Sequence, residues 1–354
     1  MYLLLIHFDS SGSACYHLQN FTDNLMRDKH LDLTTLFDPI LSELKKIEQQ
    51  LIASVESKHD SPEIQAASAH ILKAGGKRLR PALLLLVAHL GDYDADRAIK
   101  AGTVVEQIHL ATLIHDDVVD KAELRRGASA INKKWDNKFA VLLGDYLYSS
   151  AFLSILDDPD LRIVEAVVNA TKEMTRGELL QAVLNGNPAI TEEEYSQVIE
   201  GKTACLVSAC CRIGACIAGF EPDQVALLTE YGYHLGMAFQ LTDDILDVVS
   251  SSKKLGKAAG NDARKGVYTL PLIISIKRAT IKDRKHLLKL LKTEVDNYVW
   301  ANISEYISRY DGVEYSLFLA KDHILRAHKC LDAVSFGDTT TLHSIADYIV
   351  SRDF

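Results

Sequence analysis

The pattern DDxxD occurs twice in this chain, as Asp116-Asp117-Val-Val-Asp120 and as Asp243-Asp244-Ile-Leu-Asp247, each time within an apolar stretch of helical character. On a helix, residues i and i+4 share a face, so Asp116 projects with Asp120 and Asp243 with Asp247, while Asp117 and Asp244 flank them. Like charges this close repel, and a largely buried helix tolerates them only if something positive sits between them. Hard carboxylate oxygens suit Mg²⁺, which keeps several waters and is usually held by one or two carboxylates together with substrate phosphates. Two facing clusters would therefore clamp metals around a diphosphate. A single DDxxD reads more readily as a solvated run of carboxylates; its repetition within apolar flanks favours a built site.

The remaining pattern is helical. Apolar periodicity marks helices at roughly 34–57, 62–90, 95–124, 138–156, 160–186, 191–218 and 222–252, and strand-like alternation is nearly absent. Ser61-Pro62 and Asp158-Pro159 are placed as helix starts, Asn185-Gly186-Asn187-Pro188 as a turn, and Thr191 with Glu194 has capping-box spacing. Beyond Val249 a loop rich in lysine and glycine runs through Gly266, and Thr269-Leu-Pro-Leu272 opens a series of shorter helices. No linker divides the chain. The expectation is one all-α domain over residues 31–354, preceded by a poorly ordered extension at 1–30, where no periodicity is visible.

At 354 residues and 47% hydrophobic content the chain can build a substantial core. A formal charge of −9 argues against a nucleic-acid partner, whose phosphate backbone calls for a basic surface. Cys205, Cys210, Cys211 and Cys216 fall in one apolar helical segment with no metal-ligand spacing, and read as small core residues. The apolar run Tyr2–Phe8 does not resemble a secretory leader, and no stretch is long enough to span a membrane. A reducing cytoplasm fits these features.

Local basic clusters then need another explanation. Gly75-Gly76-Lys77-Arg78-Leu79-Arg80-Pro81 sets three cations beside two glycines, which allow backbone to approach a phosphate closely. Arg125-Arg126-Gly127 follows the first aspartate cluster, and the planar guanidinium suits bidentate diphosphate binding. Lys202-Thr203 and Lys257 add single cations that would otherwise read as solvated surface lysines. His109 and His115 lie on the helix of the first cluster, and His115 is assigned no chemical role.

In this order and spacing, GGKRLRP, LIHDDVVDKAELRRG, GKTACL, FQLTDDILD and TLPLI resemble the trans-isoprenyl diphosphate synthases, over a match running from about Leu36 to the C-terminus. The resemblance implies an all-α bundle of antiparallel helices around a central cavity, the isoprenoid synthase fold. It implies condensation of isopentenyl diphosphate with an allylic diphosphate, whose diphosphate is drawn away by about three Mg²⁺ ions and neighbouring cations. Carried over by position, Asp116, Asp117, Asp120, Asp243, Asp244 and Asp247 surround the metals directly or through water. Arg125, Lys202, Thr203, Gln240 and Lys257 fall on the allylic side, and Lys77, Arg80, His109 and Arg126 on the isopentenyl diphosphate side.

One departure is visible. Many members have a lysine five residues after the loop aspartate, whereas this chain has Val267 after Asp262, a wording shared by some heptaprenyl synthase subunits. By the same resemblance, residues four and five positions before Asp116 steer the growing prenyl chain; Thr112 and Ala111 are both small, which points to a long product for a quinone side chain. Tyr148 or Phe152 on the following helix would set a deeper floor. Homodimerisation is the family expectation. A heteromer's catalytic subunit, a short-chain synthase, a terpene cyclase, a non-catalytic subunit and a plain helical scaffold are the alternatives.

Overall fold

The computed structural model describes residues 33–55, 61–73, 75–249 and 259–352. The expected extension at 1–30 and the candidate Lys257 lie outside the described residues. Sixteen elements organise the rest: helices α1 (Leu41–Val55), α2 (Pro62–Lys73), α3 (Leu79–Ala88) and α4 (Ala95–Val119); strands β1 (Leu124–Arg125) and β2 (Ala128–Ser129); then α5 (Asn137–Ile155), α6 (Leu161–Leu184), α7 (Glu192–Ile199), α8 (Cys205–Ile217), α9 (Pro222–Val249), α10 (Leu270–Arg278), α11 (Ile281–Leu290), α12 (Asn297–Arg309), α13 (Gly312–Asp332) and α14 (Thr340–Ser351). Short helical turns fill several of the connections.

Side chains at the helix starts satisfy backbone donors that would otherwise be orphaned. The Asp94 carboxylate accepts from the Arg97 amide at α4, the Asp160 carboxylate accepts from the Arg162 amide at α6, and Thr191 with Glu194 forms the capping box at α7. Helices α3, α4, α5, α8 and α9 enclose the main core, with Leu83, Leu84, Ile108, Ile114, Leu147, Ile213 and Tyr231 buried in it. A second core forms where α10, α12 and α13 meet α7 and α9, around Leu270, Leu272, Ile303 and Ala320. Cys210, Cys211 and Cys216 are buried free thiols, as their apolar surroundings lead one to expect. Among the described residues no helix is long and apolar enough to cross a membrane.

Three sequence expectations are corrected. The segment 62–90 is two helices, because Gly75 takes a left-handed φ of +67° and Arg78 one of +49°, which interrupts the helix before Leu79. The helix of the first aspartate cluster stops at Val119 instead of near 124, and a two-residue antiparallel ribbon follows, pairing Leu124 with Ser129 and Arg125 with Ala128. Arg126 and Gly127 close that ribbon with φ of +52° and +81°, the paired positive values of a type I′ turn. Finally, the expected helix 191–218 is continuous but carries a π-turn at Glu200–Ala204, a wider turn of the kind that re-aims side chains.

Candidate active site

Both aspartate clusters sit in the last turns of their helices, α4 and α9, where the helix dipole is negative and adds to the repulsion among the carboxylates. Asp117 is fully buried; its Oδ1 accepts from Arg125 Nε at 2.9 Å, whereas its Oδ2 has no hydrogen-bond partner. Asp120 caps α4 and is exposed, so the first cluster runs from buried Asp117 to the surface. Asp244 is buried, accepting from Tyr195 Oη at 2.6 Å and from Gln240 Nε2 at 2.8 Å. Asp243 accepts from Arg352 Nη1 at 2.9 Å. Asp247 accepts from the Asn261 and Asp262 amides, both at 3.2 Å, and so pins the turn that carries Asp262 and Lys265.

These carboxylates are strained electrostatically. Burial, reinforced by Glu178, pushes the Asp116 carboxyl up to about 7, against the pull of Lys202 and Arg125. Burial and then the Asp262 charge raise Asp244 to about 8, although its hydrogen bonds from Tyr195 and Gln240 favour the ionised form. Asp262 rises to about 6 through burial and then Asp247. Positive charge brought near carboxyls raised this far would favour their ionised form. Among the described residues, no three His, Cys, Asp or Glu side chains converge as a ready metal cage. Clusters that each supply one or two oxygens, leaving the rest to water and substrate, are what Mg²⁺ accepts.

Lys202 is placed by the π-turn, with its ammonium 2.7 Å from Glu178 and 2.9 Å from Gln181 Oε1 on α6. The adjacent Thr203 hydroxyl donates to Gln240 Oε1 at 2.7 Å on α9. Gly177 makes this possible: a Cβ there would lie 2.7 Å from the Lys202 amide nitrogen and 2.9 Å from Gly201 backbone. Gly177→Ala is accordingly expected to destabilise the fold by about 1–3 kcal/mol through overpacking, despite alanine's better helix propensity, and, on the diphosphate reading of the sequence, to weaken diphosphate binding. Chemical denaturation and ligand titration check the two effects separately.

A cavity of about 160 Å³ gathers Asp120, Lys202, Gln240, Asp244, Asp262 and Lys265. A larger one, about 440 Å³, is lined by Lys77, Arg78, Arg80, His109, Arg126 and Arg352. Within it Arg78 is neutralised by Glu48 and Glu106, both at 2.6 Å, and is thereby a structural cation. Arg126 makes no ion pair among the described residues; burial and the nearby guanidiniums depress its pKa, with Glu106 opposing them. Arg80 contacts His109 at 3.1 Å and leaves its Nε buried without a partner. Burial, then Arg80 and Arg126, hold His109 far below its usual pKa and thus neutral. Arg78 and Arg352 are paired with carboxylates, but Lys77, Arg80 and Arg126 add three more cations to the one Glu106 carboxylate of the lining, a balance that suits a polyanion. The β1–β2 ribbon divides its arginines between the sites, Arg125 to Asp117 and Arg126 to the second cavity, where the Arg126 guanidinium rests against Gly76, 2.7 Å from where a Cβ would stand.

A narrow seam lined by Leu79, Val207, Leu235 and Phe239 shares Arg80 with the larger cavity and reaches Thr203, the chain neighbour of Lys202 in the smaller one. Sequence reasoning missed Glu178, Gln181, Tyr195 and Arg352, which reach the site from α6, α7 and the end of α14 without any motif. Ala111 is fully buried in the main core, Thr112 is half-buried, and Tyr148 and Phe152 pack against that core from α5.

The sequence model described as polyprenyl synthetase matches residues 61–306. A short chain isoprenyl diphosphate synthase of Methanothermobacter thermautotrophicus is 36% identical over 81% of this chain and 90% of its own length. The heptaprenyl diphosphate synthase component 2 of Bacillus subtilis is 35% identical over 87% of each chain. Among solved structures, a polyprenyl synthase of Caulobacter crescentus, complexed with calcium and isoprenyl diphosphate, superposes with a TM-score of 0.83 at 31% identity, covering 92% of this chain and 99% of that one.

Proposed function

The chain belongs to the polyprenyl synthetase family, and from that premise we propose that it condenses isopentenyl diphosphate with an allylic diphosphate to give a long all-trans polyprenyl diphosphate. The observation that carries this reading is a pair of cavities, one gathering Lys77, Arg80 and Arg126 around neutral His109 and the other lined by Asp244 and Asp262, whose carboxyls are raised to about 8 and about 6.

In this reading the larger cavity takes isopentenyl diphosphate on Lys77, Arg80 and Arg126, with neutral His109 orienting Arg80. The allylic diphosphate enters the smaller cavity, beside Arg125, Lys202, Thr203 and Gln240. Divalent metal fits beside it: Asp120, Asp244 and Asp262 line the cavity with hard oxygen donors, and the nearby Asp117 Oδ2 is a buried acceptor with no partner among the described residues. Asp116, Asp117, Asp120, Asp243, Asp244 and Asp247 would hold about three Mg²⁺ ions directly or through water, and the bound metal supplies counter-charge to the departing diphosphate. The carbon–oxygen bond to that diphosphate breaks, and the double bond of isopentenyl diphosphate attacks the allylic cation. The new bond leaves a tertiary cation that loses a proton to the released diphosphate. Leu79, Val207, Leu235 and Phe239 keep water from the cations. No side-chain nucleophile is needed.

The same proposal extends to small Ala111 and Thr112 as the start of a passage for a long product, suited to a quinone side chain. It also extends to Lys257 as an allylic-side cation and to a cytoplasmic setting. Exposed Leu161, Val168, Leu179 and Val183 recur at helical spacing along one face of α6, Leu142 and Leu153 are exposed on α5 and Leu156 just past its end, which supports a homodimer. The component 2 in the name of the Bacillus relative favours a heteromer as the second reading.

Purified chain with labelled isopentenyl diphosphate, farnesyl or geranylgeranyl diphosphate and Mg²⁺ is expected to yield long prenyl alcohols after removal of diphosphate. Products no longer than geranylgeranyl would overturn the long passage. Activity appearing only with a partner chain would replace the homodimer with the heteromer.

A further inference from the structure

Lys265 was not among the residues that motif reading selects, yet it stands at the mouth of the smaller cavity. Its ammonium lies 3.0 Å from Asp120 Oδ2, across 145 residues of sequence. The same cavity is lined by three carboxylates, Asp120, Asp244 and Asp262, against two ammonium groups, those of Lys202 and Lys265. Lys202 is already engaged by Glu178 and Gln181. Lys265 is therefore the second cation of this cavity, and its present partner is an exposed carboxylate, in a pair with about two-fifths of each side chain open to water. Such a pair holds weakly and is given up readily to a ligand of higher charge.

The position of Lys265 is fixed by its backbone. It caps the helical turn Asn261–Arg264, whose first amides are held by Asp247. On its other side the Gly186 amide donates to the Gly266 carbonyl at 2.8 Å, and the Val267 amide donates to the Asp262 carbonyl at 2.9 Å. The turn is thus tied both to α9 and to the end of α6, and it presents the side chains of residues 265 and 267 to the same cavity. At 267 the side chain is an uncharged valine.

We infer that Lys265 is a diphosphate-binding residue of the smaller cavity, exchanging Asp120 for the allylic diphosphate when substrate and metal enter, and thereby supplying the charge that Val267 does not. This rests on the reading of that cavity as the allylic site.

The test uses the full chain and the variants Lys265→Met, Val267→Lys and both together. Calorimetric titration with inorganic diphosphate and Mg²⁺ is paired with steady-state kinetics for each substrate. Lys265→Met is expected to weaken diphosphate binding and to raise the allylic KM about tenfold, the scale of one charge-assisted contact, with the isopentenyl diphosphate KM little changed. Its melting temperature should stay near that of the parent, because the lost pair is exposed. Val267→Lys should recover most of the loss in the Lys265→Met background and add little to the parent chain. Unchanged diphosphate affinity and allylic KM in Lys265→Met, or an equal effect of Val267→Lys in both backgrounds, would overturn the inference while leaving the proposed function standing. A parent chain that neither binds diphosphate nor forms prenyl product would overturn the proposed function, and this inference with it.

Discussion

Asp244→Asn is expected to lower kcat/KM by about 10²–10³-fold, the scale of losing one preorganised electrostatic contact, while the melting temperature of the ligand-free protein holds or rises. The two halves of that outcome come from the same burial. Asparagine keeps the shape; its Oδ1 can still accept from Gln240 and its amide can donate to the Tyr195 oxygen, so the one bond given up is the Tyr195 hydroxyl's own donation. What disappears is a negative charge that the protein alone does not compensate.

The sign follows from linkage. A carboxyl whose pKa rises on folding binds more protons in the folded state, so it costs stability as pH climbs from its unfolded value through the folded one. For Asp244 that window runs from the ordinary 3.8 to about 8, and for Asp116 from 3.8 to about 7. The stability advantage of Asp244→Asn should therefore widen across this range and shrink when Mg²⁺ and diphosphate are added, since those ligands favour the ionised parent. Melting curves between pH 5 and pH 8.5, with and without ligand, read this directly. A variant with parental kcat/KM would remove Asp244 from the machinery, and one that melts far below the parent at every pH would make the residue a structural hydrogen-bond centre instead.

How much was visible beforehand depends on the distance over which each feature is encoded. Helices were legible because apolar spacing and caps such as Thr191–Glu194 act within a few residues. The break at Gly75–Arg78 escaped because the periodicity on its two sides happens to read as one continuous helix. Residues acting across the fold had no local signature: Tyr195 reaches Asp244 over 49 positions and Arg352 reaches Asp243 over 109. Nor can motif spacing tell a free cation from a neutralised one. Arg78 and Arg80 stand two apart in one motif, but only folding brings Glu48 and Glu106 to the first and leaves the second facing the cavity.

Product length gives the second large expected effect, with two substitutions pulling in opposite directions. Ala111 is fully buried on α4, five residues before Asp116, and α5 packs across that helix. Tyr148 of α5 lies 5.7 Å from the His115 ring and stacks on Phe152 at 6.2 Å, and burial followed by the Asp116 and Glu178 charges pushes its hydroxyl well above the usual range. That places two aromatic rings close to the first aspartate cluster. If the prenyl chain grows between α4 and α5, Ala111→Phe should shorten the main product by about one isoprene unit or more, because a close-packed wall does not yield to it. Tyr148→Ala should lengthen it. Each change costs stability, by overpacking in the first and by a cavity in the second, and each lowers the yield of active protein. Lost yield cannot by itself reset where elongation stops, so opposite shifts in chain length, read by chromatography of the dephosphorylated products, locate the passage. The same product distribution from both variants and the parent would place it elsewhere.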